Sequence, residues 1–232
     1  MRTVAPEDLA VGKDPATRPV PPISVTYRRL LIALVLVPYN AWLLGPWLWV
    51  GRMRPGYLSE LAAQDQPWQW LFRGGDMLAG ALLIAVAVLG RRRWRCWLSR
   101  WAPGLVIGSI LAGGATFLDA ILNLPCSLAA SASCQKSATL ATRLHEVSSV
   151  LAGAGFITML AAVFLGLRLT QGWTRTTRLA AAATALVVVA DVLVVLFEFL
   201  LPGAQLWPQI CATLVYDALF VVIITRLGPC KE

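Results

Sequence analysis

Asp76, Asp119, Asp191 and Asp217 each stand inside a different apolar stretch of this chain. An ionised carboxylate facing lipid near the bilayer midplane costs at least a few kcal/mol, so these groups are expected to point into a helical bundle. At about 1.5 Å of rise per helical residue, counted from the basic flank of each stretch, they lie roughly 22, 24, 20 and 14 Å deep. His145 and Ser149 are four apart and share a helical face, as do Thr213 and Asp217. The convergence predicts an outward-opening polar cavity lined by Asp76, Asp119, His145, Ser149, Asp191 and Asp217, with Ser59 contributed by the first outer loop. Its chemistry would be proton transfer, with His145 as general base or acid, Asp119 or Glu146 orienting it, and Ser149 or Ser59 touching the substrate. The bland alternative is interhelical glue, one hydrogen-bonded acid per seam for ~1 kcal/mol each.

Other chemistries lack their residues. A single histidine excludes bis-histidine haem and three-histidine zinc; neither a metal nor a cofactor is expected, a hard-cation site built from carboxylates being the weaker alternative. Walker, GxSxG and HExxH patterns are absent from the sequence. The net charge of +8 does not point to nucleic acid, because the basic residues gather at the ends of apolar stretches, where they meet lipid head groups.

The elements that must position these residues are six apolar stretches, at about 30–50, 74–90, 103–124, 144–168, 178–201 and 207–226. Each has about the ~20 residues that a bilayer-crossing helix needs. With 58% hydrophobic and 14% charged residues, the composition fits an all-α six-helix membrane bundle over 30–228. Fifteen of the twenty Lys and Arg residues fall in the termini and the even-numbered connections, five of them in the N-terminal segment and five over Arg91–Arg100. The positive-inside rule then places both termini in the cytoplasm and the odd-numbered loops outside. Residues 1–29, polar and proline-rich, read as a disordered cytoplasmic tail. The ten tryptophans lie near the two predicted interfaces and read as anchoring belts.

Three local features refine this picture. Gly104, Gly108, Ala112 and Thr116 place a small residue at every fourth position, answered by Ser149 and Gly153, which predicts close antiparallel packing of the third and fourth spans. Residues 57–72 read as an interfacial helix broken near Pro67, either a plain connector or a lid over the cavity. Cys126 and Cys134 share an outer loop short enough for a bridge, with two free thiols as the alternative. Only Pro38 interrupts a span.

Residues 56–89, the segment GGATFLDAILNLPCSLAASASC and the segment RLHEVSSVLAGAGF together resemble a small bacterial and archaeal membrane family, domain of unknown function 998. The matching features are Ser59–Glu60, the Gly-Asp pair opening the second span, Asp119 ahead of the two loop cysteines, and His145 with Ser148–Ser149. The resemblance covers roughly 30–226. It implies a compact polytopic protein, expected in the bacterial inner (cytoplasmic) membrane, and carries no reaction with it.

Three functions stay open on this reading. The first is binding of, or acid–base action on, a lipid or lipophilic metabolite at the outer leaflet. The second is a small proton-coupled transporter using Asp191 and Asp217, for which a homodimer is expected because six spans are few for a carrier. The third is a scaffold subunit of an envelope assembly.

Overall fold

A computed structural model describes residues 23–50, 56–127, 129, 134 and 140–229, so most of the expected tail lies outside the described residues. Helices α1 (Val25–Tyr39), α2 (Gly45–Leu48), α3 (Gln69–Gly90), α4 (Arg93–Leu98), α5 (Ala102–Ile121), α6 (Leu140–Gln171), α7 (Arg175–Leu200) and α8 (Leu206–Thr225) follow in order, with no strand among the described residues. The protein is all-α and polytopic. Five helices are long and apolar enough to cross a membrane, and a sixth span forms if the bent run from α1 to α2 is counted as one. The first helix begins at Val25, capped by the Ser24 hydroxyl, which accepts from the Tyr27 N–H.

Neighbours in sequence are neighbours in space: α1 packs on α3, α3 on α5, α5 on α6, α6 on α7, α7 on α8, and α8 closes back on α1. The result is a six-membered up-and-down ring. One end of the ring is basic. There Arg28 donates to the Thr225 carbonyl at 2.6 Å, and the Arg226 and Arg168 guanidinium groups lie over the Trp97 and Trp173 rings. The other end carries the Cys126–Cys134 disulfide, whose Cα atoms are 5.9 Å apart.

Packing at the basic end is apolar and tight. Val35, Leu83, Val86, Trp94, Leu98, Leu105, Met159 and Ile223 are buried in one core. Trp94 departs from the belt expected of it: it is 0% exposed and donates its indole N–H to the Ile223 carbonyl at 3.2 Å. Trp47, Trp68, Trp70, Trp173 and Trp207 are exposed, as belt residues would be. The small-residue stripe does bring α5 and α6 together, though its closest partner is Gly155, where a Cβ would overlap the Ala112 backbone.

The first span is not continuous. Pro38 brings no N–H, and Asn40 ends α1, its side-chain amide donating to the Leu36 carbonyl at 3.0 Å. A 3₁₀ turn (Ala41–Leu44) and α2 follow, bent by 45° from α1. The reading of Pro38 as a mere interruption is thus corrected. The break is accommodated by Gly75 of α3, where any side chain would overlap the Pro38 carbonyl oxygen.

Candidate functional site

Above the apolar core, the ring opens into a cavity of about 230 Å³ to which every spanning segment contributes. Close approach of α5 and α6 at Gly155 gives way, two turns toward the disulfide end, to Thr116 and Ser149, which line the space. Gly75 brings α3 against the broken α1, and the next residue, Asp76, faces the cavity. The α7 helix contributes Asp191 to the lining, and Asp119 comes from α5.

The floor is aromatic. Phe156 and Tyr216 stack with centroids 3.9 Å apart and planes 13° apart, and Tyr39 meets Phe220 edge-on at 5.2 Å. The roof is the stretch that begins at Gly56. Here the expected interfacial helix over 57–72 is replaced by a short 3₁₀ turn (Leu58–Ala62), with Glu60, Leu61, Ala62 and Ala63 buried. Leu58 and Ser59 look onto the cavity.

This cap is pinned from several sides. The Leu58 N–H donates to Gln209 Oε1 at 2.8 Å, Asn123 Nδ2 donates to the Ala62 carbonyl at 2.8 Å, and the Tyr57 hydroxyl donates to Glu198. The Ser127 N–H, next to the disulfide, donates to Asp65 at 3.1 Å. Burial raises the Glu60 carboxyl above the ordinary glutamate range, although the Gly56 N–H donates to it at 2.8 Å and opposes that rise. Burial and the bond to Glu198 likewise push the Tyr57 phenol up.

The four intramembrane carboxylates divide into two pairs. Asp119 Oδ1 accepts from Ser148 Oγ at 2.6 Å and Ser149 Oγ at 2.7 Å, with His145 Nδ1 at 3.2 Å. Asp217 accepts from Asn40 Nδ2 at 2.9 Å. Asp76 and Asp191 have no hydrogen-bond or ion-pair partner among the described residues.

Two expected lining residues fall elsewhere. His145 is 5% exposed and sits behind Asp119, off the cavity wall, so the expected order of His145 at the substrate with Asp119 behind it is reversed. Asp217 is turned toward Asn40 at the helix break and does not line the cavity. Ser149 Oγ donates its hydrogen bond to the Asp119 carboxylate rather than to His145. Ser59, Asp76, Asp119, Ser149 and Asp191 do share the cavity.

The sequence reading missed the aromatic lining residues Tyr39, Trp42, Phe156 and Tyr216, and it missed Asn40. The signal for Asn40 was available: a Pro-x-Asn run inside an apolar stretch both breaks a helix and supplies a buried donor. No cluster of His, Cys, Asp and Glu suited to a metal ion occurs among the described residues.

No curated protein and no solved structure matches the chain. Residues 31–223, which run from within α1 to within α8, match one family, and the chain belongs to that family, described as Protein of unknown function (DUF998).

Proposed function

We propose that this protein binds a lipid or lipophilic metabolite in the cavity between its helices, from the outer leaflet of the bacterial inner membrane. The observation that carries the reading is the split among the acids. Glue needs partners, and Asp119 and Asp217 have them. Asp76 and Asp191 face open space without any. Leaving a buried carboxylate unpaired costs free energy that packing alone gives no reason to retain.

Acid–base action on the bound molecule falls to Asp119. One of its oxygens is held by three neighbours, and the other accepts no bond among the described residues. His145 and Ser148 act as positioning residues that fix this carboxylate. The proposed orientation has the basic end in the cytoplasm, and it rests on the arginines. The Cys126–Cys134 bridge does not choose the side, because Cys96, at the basic end, is also disulfide-bonded.

One observation favours a second reading. A broken spanning helix beside a polar cavity is how many secondary transporters build their sites, and α1 breaks beside Asp76. The same cavity would then release its ligand across the membrane. The titrating pair first considered, Asp191 with Asp217, is not together in one space.

The test is native mass spectrometry of the protein released from nanodiscs of native lipid, wild type beside Gly153→Leu. A side chain at Gly153 starts 3.4 Å from Asp191 Oδ2 and fills the cavity without removing a charge. A bound lipid mass in the wild type that is lost in a folded Gly153→Leu supports the proposal. A wild type that carries no such mass overturns it.

A further inference from the structure

We infer that the molecule held in this cavity presents an organic cation, a quaternary ammonium or protonated amine, to Asp76 and Asp191 inside the aromatic wall. The inference rests on the cavity being a ligand site, as proposed above, and names the chemistry that the site selects.

Charge gives the first constraint. Among the described residues, three carboxylates and no Lys or Arg line the space, so an anionic group would meet like charge there. One Asp119 oxygen is held by Ser148, Ser149 and His145, whereas Asp76 and Asp191, on opposite sides of the ring on α3 and α7, have no partner on either oxygen among the described residues. The lining gives the second. Tyr39, Trp42, Phe156 and Tyr216 supply ring faces and edges, and the union of aromatic surface with carboxylate is what holds alkylammonium ions. A small metal ion calls instead for converging oxygen ligands, and the described residues offer no such cluster.

Size gives the third. At about 230 Å³ the cavity is smaller than the roughly 300–1,000 Å³ that encloses a drug-sized ligand. It suits a head group or a small amine, while any acyl tail would remain in the membrane. The Trp42 indole N–H is buried without a hydrogen-bond partner among the described residues, and this residue lines the same space, which leaves one donor for the polar remainder of such a head group.

Headgroup selectivity tests this directly. The full chain in detergent is titrated with dioleoyl phosphatidylcholine, dioleoyl phosphatidylethanolamine and dioleoyl phosphatidylglycerol, and separately with choline chloride, and adducts are read by native mass spectrometry. The two amine-bearing lipids should bind at least about tenfold more tightly than phosphatidylglycerol, which carries the same tails. Asp76→Asn/Asp191→Asn should erase that preference, and the wild-type comparison among lipids stands without any variant. Choline bound as tightly as the lipids would assign the site to free amines, whereas binding of the lipids alone would assign it to a lipid head group. Equal uptake of all three lipids, blocked by Gly153→Leu, would overturn the cation inference and leave the lipid cavity standing. Absence of every adduct would overturn both.

Discussion

The two halves of this bundle use the same helices in opposite ways. At the basic end, Val86, Trp94, Leu98, Leu105, Met159 and Ile223 meet in one largely apolar core, where the Trp94 indole donates to the Ile223 carbonyl. At the disulfide end, the buried residues include Glu60, Gln66, Asn123, Ser127, His145, Ser148 and Gln205. One half is specified by shape, with small residues setting how closely helices approach. The other is specified by which donor finds which acceptor. The contrast separates polar groups that pair within the bundle, such as Glu60, Asn123 and His145, from Asp76 and Asp191, which face the cavity with no partner among the described residues.

The most damaging way to break this contrast is at the basic half's closest seam. Gly155→Leu has nowhere to place its side chain against the Ala112 backbone, and should cost about 3 kcal/mol or more, read as loss of the folded fraction in thermal unfolding. In the polar half, Asp119→Ala strands the Ser148 and Ser149 hydroxyls and His145. It should cost about 1–3 kcal/mol, whereas Ser149→Ala alone, with its hydroxyl partly exposed, should cost far less.

Removing the bridge with Cys126→Ser should cost about 2 kcal/mol, since it closes a loop of sequence separation 8. Its effect should concentrate on the cap, through Ser127 and Asp65, and be visible as faster amide exchange over residues 56–66. The smallest effect is that of pH. Folded Glu60 holds its proton more tightly than the unfolded chain does, so the stability it lends the cap is fully present below the ordinary glutamate pKa. That stability is lost as pH rises through the raised value. Exchange of the cap, corrected for intrinsic rates, should therefore quicken over that rise, and Glu60→Gln should flatten the profile.

Much of the architecture was legible because lipid permits few solutions. Six stretches of spanning length, alternating in flanking charge, leave little besides a six-helix ring, and the spacing of Gly108 and Ala112 marked the α5–α6 seam. The cavity was legible only as a set of depths. Distance along a helix places Asp76, Asp119 and Asp191 at one level but does not say which of them is already bonded. His145 illustrates the limit: four residues from Ser149, it shares that helix's face, yet one turn nearer the end it packs against α5 behind Asp119. The break in α1 was hidden for a different reason. Proline is tolerated in membrane helices, so Pro38 alone carries little weight, and it is Asn40, with its bonds to Leu36 and Asp217, that ends the helix.

The central claim is that Asp76 and Asp191 serve a ligand rather than the fold. Thermal unfolding of Asp76→Asn/Asp191→Asn in detergent, beside the wild type and Asp119→Ala, measures this most directly. If the claim holds, the double variant unfolds at or above the wild-type temperature, because two half-buried acids with no partner among the described residues have been neutralised, while Asp119→Ala unfolds lower. A double variant that falls together with Asp119→Ala would make all the acids structural and contradict the account.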